Sequence, residues 1–188
     1  MSTRMDASGE LRSVQIPAGS VMLDGDYGPP SGLDGGLLFA HGSGSSRHSR
    51  RNQFVAQALR EAGLGTLLMD LLTVEEEQID LRTRHLRFDI GLLAERLIHA
   101  TDWLRSNAET RQLRIGCFGA STGAAAALIA AAERPDAVGA VVSRGGRPDL
   151  AGAYLPRVTA PTLLIVGGAD EPVITLNEEA LARLQCEK

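Results

Sequence analysis

Five short, continuously apolar segments alternate with helical stretches, and this alternation constrains the fold of the 188-residue chain more than any other feature. Unbroken apolarity predicts strands that are buried on both faces, as in a parallel sheet. The predicted strands are Gly36–Ala40, Gly65–Leu72, Leu113–Gly119, Ala137–Gly146 and Pro161–Gly168, and the predicted helices are Arg50–Ala62, Asp89–Ser106, Thr122–Glu133 and Thr175–Leu184. Together they indicate an α/β fold with a mostly parallel, doubly wound sheet.

The first part of the chain has a different pattern. Residues 11–32 alternate between apolar and polar side chains and are interrupted by Gly and Pro, which predicts an antiparallel hairpin at the sheet edge. Residues 1–9 are predicted to form a disordered tail. The length suits one globular unit, so residues 10–188 are expected to be a single domain.

The charged segment Thr73–Arg87 shows no clear period. We interpret it as a solvated loop after the second buried strand. The alternative is a mobile lid over a site.

Charge and composition limit the class of partner. The formal net charge is −4, which gives no reason to expect nucleic acid or an anionic membrane surface. The two cysteines do not suggest a disulfide framework, and the N-terminal residues have no apolar signal segment, so a cytoplasmic protein is expected. No His, Cys, Asp or Glu cluster has the spacing of a metal site, and no cofactor is predicted.

The segment Gly119–Gly123 is a G-x-S-x-G motif between a predicted strand and an Ala-rich helix. A tight strand-to-helix turn needs small neighbours and exposes the serine hydroxyl above the sheet. The N-terminus of the helix would direct free N–H groups at an oxyanion. Ser121 is therefore a candidate nucleophile, and the alternative is that it only caps the helix.

Two further motifs follow other predicted strands. His41-Gly42-Ser43-Gly44 comes directly after the first buried strand, where a Gly-rich turn can supply a second N–H to an oxyanion. Asp170 comes after the last strand, at the sheet edge where the serine is expected. The order of oxyanion turn, serine and acid is the order of an α/β-hydrolase.

A nucleotide site is the competing interpretation of the same turn. Gly42 and Gly44 form a G-x-G, and Asp70 lies at a later strand end, as in a dinucleotide fold. Arg47 stands where the third glycine of that fingerprint belongs, and the Gly-Lys-Ser/Thr of a P-loop is absent from the sequence.

The motifs "HGSGSSRHS", "GASTGAAAAL", "VVSRGGRPDL" and "PTLLIVGGAD" resemble the dienelactone-hydrolase-like branch of the α/β-hydrolase superfamily. The closest likeness is to members that are sometimes fused to a phosphoribosyltransferase domain. The resemblance implies an α/β-hydrolase fold from about residue 10, with Ser121 as nucleophile and Asp170 as triad acid. It also implies that the N–H groups of Ser43 and Thr122 form the oxyanion hole.

The chain departs from that family in two respects. Dienelactone hydrolases proper carry Cys at the position that matches Ser121. The Ser in this chain therefore indicates a general serine esterase or acyl hydrolase. The family's catalytic His is expected after one more strand beyond Asp170, but no His follows Asp170 here. His41, His48, His85 and His99 all precede the elbow, and each is expected to have a structural or solvated role. We therefore expect a C-terminally truncated fold with an exposed edge at Thr162–Val166, a weak hydrolase, and self-association through that edge.

Arginines follow the strands that bear the candidate site. One interpretation is that Arg47, Arg144 and the neighbouring arginines are ordinary surface charge. The other is that Arg47, His48 and Arg144 form the rim of a pocket that binds an anionic ester. Two function classes remain: a serine hydrolase of small esters, lactones or acyl compounds, and a non-catalytic α/β-hydrolase-like module that binds or regulates a partner.

Overall fold

A seven-stranded sheet forms the centre of the protein. The structure, a computed structural model, describes residues 10–32 and 34–188. The tail predicted for residues 1–9 lies outside the described residues. The strands are β1 (Arg12–Ala18), β2 (Val21–Gly28), β3 (Gly35–Ala40), β4 (Gly65–Met69), β5 (Arg114–Ala120), β6 (Val138–Arg144) and β7 (Thr162–Ile165), in the order β1-β2-β4-β3-β5-β6-β7.

Strand directions match the predicted class. β1 and β2 form the antiparallel hairpin, and β2 also pairs antiparallel with β4, while the pairings from β4 through β3, β5 and β6 to β7 are parallel. All five predicted parallel strands are present, with bounds shifted by at most three residues. The mostly parallel α/β sheet with an N-terminal edge hairpin is confirmed.

The described residues form five α-helices, three of which pack on the sheet. They are α1 (Arg50–Glu61), α2 (Val74–Thr83), α3 (Ile90–Ser106), α4 (Thr122–Glu133) and α5 (Glu171–Arg183). Helices α3 and α4 pack together against β1, β3, β5 and β6, whereas α1 covers β4 on the other face. Helix α5 begins at Glu171 rather than at the predicted Thr175. Among the described residues, no helix combines the length and apolar character needed to cross a bilayer.

The interpretation of Thr73–Arg87 as a solvated loop is wrong. Residues Val74–Thr83 form α2, and a 3₁₀ turn follows at Leu86–Phe88. Thr73 and Glu76 form a reciprocal capping box: the Thr73 hydroxyl accepts from the Glu76 N–H, and the Glu76 carboxylate accepts from the Thr73 N–H. The Thr-x-x-Glu spacing is a sequence signal for a helix start, and the weak apolar period concealed the helix.

Register brings the predicted motifs to one edge of the sheet. Ala40 at the end of β3 is level with Gly119 of β5, and Ala120 is level with Arg144 of β6, which is in turn level with Ile165 of β7. These strands are parallel, so the loops that leave their carboxyl ends meet above the same edge.

Candidate active site

Ser121 lies in a strained turn between β5 and α4. Its backbone has φ 51° and ψ −124°, a region that residues other than glycine rarely adopt. Its side chain makes no capping hydrogen bond to the helix, which argues against the N-cap alternative. Strain held at a partly exposed serine between a strand and a helix is typical of a nucleophile elbow.

The two glycines of the motif are required by close packing. A β-carbon on Gly119 would lie 2.4 Å from the Ala124 Cα, and one on Gly123 would lie 2.4 Å from the Ala40 carbonyl oxygen. Both distances are far below van der Waals contact. The start of α4 therefore lies directly against the ends of β3 and β5, and this contact holds Ser121 in place.

The turn after β3 lies beside Ser121. A β-carbon on Gly42 would be 2.9 Å from the Ser121 Cβ, so only glycine allows this approach. The hydroxyls of Ser43 and Thr122 form a hydrogen bond of 3.0 Å, which ties the turn to the first residue of α4. Within residues 10–32 and 34–188, no protein acceptor takes the backbone N–H of Ser43 or of Thr122. Both N–H groups are thus available to an anionic oxygen.

A cavity of about 500 Å³ opens next to Ser121. Asp170 and Arg144 line it together with Ser121, so the structure brings three of the predicted site residues together. Arg50 and Arg51 from the start of α1 line it as well. The cavity is therefore cationic on its α1 side.

Arg144 is held in place on the cavity wall. Its Nη2 donates to the Asn52 side-chain oxygen over 3.1 Å, and its guanidinium carbon lies 6.0 Å from the centre of the Phe118 ring. Its Nε is buried without a protein partner. Burial, followed by the positive charge of Arg51, lowers the pKa of Arg144 below its usual value. A bound anion would relieve both effects.

His41 is structural, as the sequence analysis expects. It is 8% exposed; its Nδ1 lies 3.0 Å from the Gly42 carbonyl, and its Nε2 accepts from the Leu71 N–H over 3.1 Å. Only the neutral Nδ1–H tautomer satisfies both bonds. Burial lowers the pKa of His41, and the Gly42 hydrogen bond offsets this in part. Both ring nitrogens are occupied, so His41 does not serve Ser121 as a base.

The other three histidines are placed elsewhere. His48 is exposed before α1, the His85 Nδ1 contacts the Thr83 hydroxyl at 2.7 Å, and the His99 Nε2 lies 3.6 Å from Glu95 on α3. Among the described residues, no histidine lines the cavity beside Ser121. Likewise, the described part of the chain holds no group of three or more His, Cys, Asp or Glu side chains suited to a metal ion.

The structure does not bring Arg47 to the cavity wall. Its guanidinium contacts the carboxylate of Asp70 and lies 3.7 Å from Asp24 and 3.5 Å from Asp26, while its N–H donates to Asp70 over 2.7 Å. These contacts join the turn after β3 to the N-terminal hairpin. In a dinucleotide site the Asp70 carboxylate would bind the ribose hydroxyls, but here it is paired with Arg47.

Sequence reasoning missed Asp80 and Arg87. Asp80 is 1% exposed and accepts from the N–H groups of Leu86 and Arg87 and from the Arg87 guanidinium. Burial raises the pKa of Asp80, but the hydrogen bonds and charge of Arg87 outweigh it and hold the pKa below its usual value. Arg87 also offers its carbonyl to the Ser43 hydroxyl over 3.3 Å. The α2 segment and the 3₁₀ turn after it thus support the turn after β3.

Comparison with known proteins agrees with this geometry. The model of the dienelactone hydrolase family matches residues 52–185. The crystal structure of a dienelactone hydrolase from Anabaena variabilis is 64% identical, with a TM-score of 0.94, and the match covers 96% of this chain and 84% of that one. A dienelactone hydrolase-like promiscuous phosphotriesterase from metagenomic libraries shares the fold, with a TM-score of 0.72 at 17% identity over 96% of this chain and 81% of that one.

Curated relatives come from two strains of Mycobacterium tuberculosis. Each is 57% identical over 169 residues, which is 90% of this chain, and each bears a name that assigns it provisionally to the phosphoribosyl transferases. The chain spans only 37% of the length of these relatives. The family model covers well over half of the chain, and the fold of the chain agrees with the match. The chain belongs to the dienelactone hydrolase family.

Proposed function

We propose that the protein is a serine hydrolase of small ester, lactone or acyl substrates, in which Ser121 forms an acyl-enzyme. The observation that carries the proposal is the strained backbone of Ser121 at the mouth of a cavity that Asp170 also lines. Membership of a hydrolase family supports it. Its substrate is a small molecule, and neither a cofactor nor a metal takes part in the reaction as proposed.

The proposed roles follow from the geometry. The Ser121 oxygen attacks the carbonyl carbon of the ester, and the developing oxyanion accepts from the N–H groups of Ser43 and Thr122. Asp170 stabilises the positive charge of the group that takes the serine proton. No imidazole lies beside Ser121 among the described residues, so water or a substrate group accepts that proton in this 188-residue chain, and we propose slow turnover.

Arg144 is the proposed substrate-binding residue. Its half-buried guanidinium faces the cavity, and Arg50 and Arg51 add positive charge from α1. A carboxylate or another oxyanion on the substrate fits this wall because guanidinium binds such groups in a bidentate manner. The proposal for Arg47 and His48 as substrate contacts has less support, because neither lines the cavity.

A non-catalytic binding module is the second candidate. The observation that favours it is the same missing imidazole beside Ser121. In this case the cavity and its arginines would bind an anionic ligand without turning it over.

A fluorophosphonate probe separates the two candidates. We expect a covalent adduct on Ser121, located by peptide mass spectrometry and absent from Ser121→Ala. Ser13→Ala is the matched control, because Ser13 lies on β1 away from the cavity. A protein that binds anionic ligands but never forms the adduct, even at high probe concentration, would be the binding module.

A further inference from the structure

Two cavities flank the nucleophile elbow and share Gly42 and Ser45 in their walls. The larger is the cationic cavity next to Ser121. The smaller has a volume of about 30 Å³ and lies under α2. Ser43 and Thr122, whose N–H groups form the proposed oxyanion hole, line only the smaller one.

We propose that the small cavity is the acyl pocket and that the substrate is a short-chain acyl ester of an anionic alcohol. This inference rests on the proposed function, because it requires Ser121 to be the nucleophile. It divides the substrate in two: the acyl group lies under α2, and the alcohol lies in the cationic cavity.

The position of Asp170 indicates which cavity takes the acyl group of the ester and which takes the alcohol. In the proposed reaction, the group that takes the serine proton and returns it to the leaving oxygen is the one whose positive charge Asp170 stabilises. Asp170 lines the larger cavity and not the smaller one, so the leaving alcohol occupies the larger cavity. The acyl substituent is left with the small cavity, next to the oxyanion donors.

Volume limits the acyl chain. The small cavity offers about 30 Å³, against about 500 Å³ for the large one, so it suits only a short acyl chain. Leu71, Leu72 and Leu93 form its apolar wall. The pocket thus favours a short acyl group such as acetyl.

Charge fixes the orientation of the ester. The carboxylates of Asp70 and Asp80 in the small cavity are each paired with an arginine, but Glu77 has no ion-pair partner among the described residues. In the large cavity Arg50, Arg51 and Arg144 have none either. A carboxylate on the acyl half would be repelled by Glu77, whereas one on the alcohol half would be attracted by Arg144.

The chemistry balances without a further reagent. The bond between the Ser121 oxygen and the acetyl carbon forms as the bond from that carbon to the alcohol oxygen breaks, and the serine proton ends on the released alcohol. Water then cleaves the acyl-enzyme, which restores the serine hydroxyl and releases acetic acid.

Three aryl esters test the orientation. 4-Acetoxybenzoate carries a carboxylate on the leaving half, the monophenyl ester of succinic acid carries it on the acyl half, and phenyl acetate carries none. Each rate is divided by the rate of hydroxide-catalysed hydrolysis of the same ester. We expect kcat/KM for 4-acetoxybenzoate to exceed that for phenyl acetate about tenfold, the worth of one charge-assisted hydrogen bond. We expect the succinate ester to be the slowest.

Arg144→Ala should remove the advantage of 4-acetoxybenzoate, so that the ratio of its kcat/KM to that of phenyl acetate falls from about ten towards one. The matched control is Arg105→Ala, an exposed arginine at the far end of α3. The succinate ester reacting fastest, or an unchanged preference in Arg144→Ala, would overturn the inference.

A second series tests the volume. We expect p-nitrophenyl acetate to acylate the protein at least about tenfold faster than the hexanoate, because several methylenes have no space. Leu72→Ala should narrow that ratio, whereas Leu59→Ala, a partly buried leucine of α1 outside both cavities, should not. Equal acylation by the acetate and the hexanoate in the wild-type protein would overturn the inference.

Intact mass spectrometry distinguishes the two levels of failure. If no ester leaves an acyl group on Ser121, the proposed function fails. If acyl groups of every length and charge appear on Ser121 at equal rates, the proposed function stands and only the assignment of the acyl pocket fails.

Discussion

Gly123 lies so close to Ala40 that a β-carbon on the glycine would be 2.4 Å from the alanine carbonyl oxygen. The contact joins the first turn of α4 to the end of β3, and a second backbone oxygen, that of His41, would be 2.5 Å away. Neither oxygen belongs to a flexible side chain, so a substitution cannot be absorbed by a change of rotamer. The elbow geometry therefore depends on this glycine.

Gly123→Ala should destabilise the protein by about 3 kcal/mol, near the upper range for inserting a methyl group among packed atoms. Urea unfolding followed by circular dichroism measures the loss. The control is Gly167→Ala, because a β-carbon on Gly167 would have no neighbour within 4 Å. Equal stability of the two variants would contradict the packing described for the elbow.

The parallel strands and the elbow could be predicted from the sequence because their signals are local. Continuous apolarity indicates a strand of the parallel sheet. The glycines of Gly119–Gly123 indicate that the strand and the following helix pack closely. Parallel register then places Ser121, Asp170 and the turn after β3 at one edge. Helix α2 was missed because its apolar period is weak and much of its support comes from the Asp80 contacts with Leu86 and Arg87.

Contacts between residues that are distant in the sequence could not be predicted from local patterns. The position of Arg47 after β3 predicts a place on the pocket rim, but its guanidinium pairs with Asp24, Asp26 and Asp70. Those carboxylates come from two other strand regions, and no local pattern links them to Arg47. Arg144 is different, because the end of β6 leads directly to the edge that bears Ser121.

The buried His41 should make stability depend on pH. Burial lowers its pKa, so the unfolded chain binds a proton at a pH where the folded protein does not. The stabilisation is complete above the unfolded pKa of about 6.5 and is lost as pH falls towards the folded pKa, with a slope of at most about 1.4 kcal/mol per pH unit. Protonation also removes the lone pair that accepts from the Leu71 N–H.

Urea midpoints measured from about pH 7.5 to 5 test this prediction against His41→Gln, which keeps a polar side chain but does not titrate. We expect the wild-type curve to fall more steeply than that of the variant. Parallel curves would show that His41 does not titrate in this range. His48→Gln, at an exposed histidine, is the matched control and should follow the wild-type curve.

Asp80→Asn should cost about 3 kcal/mol of stability, as expected when one partner of a buried ion pair is removed. The Asp80 carboxylate joins α2 to the following 3₁₀ turn, and its loss leaves the Arg87 charge poorly compensated. The carbonyl of Arg87 contacts Ser43, so the oxyanion turn should loosen as well. Thermal unfolding and hydrogen exchange at residues 43 to 45 measure the two effects. Asp89→Asn, at the exposed N-cap of α3, should cost less than about 1 kcal/mol.

The outer edge of β7 should associate with a second copy of the chain. Leu163 and Ile165 are 56% and 44% exposed, and β7 is the last strand of the described sheet. Ile165 offers its carbonyl to Gly145 on the β6 side, so the alternation along the strand directs the N–H groups of Thr162 and Leu164 outwards. The Thr162 N–H donates to the Glu187 carbonyl over 2.9 Å, which leaves the N–H of Leu164 for a second copy. An apolar edge with free backbone groups is a template for strand pairing.

Sedimentation velocity at roughly tens of micromolar should therefore show a dimer or larger species. Leu163→Lys should shift the protein towards monomer, because edge lysines oppose pairing between like copies. Leu81→Lys is the matched control: Leu81 is 59% exposed but lies on α2. A wild-type protein that sediments as a single monomer, or an equal response to both lysine variants, would show that the β7 edge is not the contact.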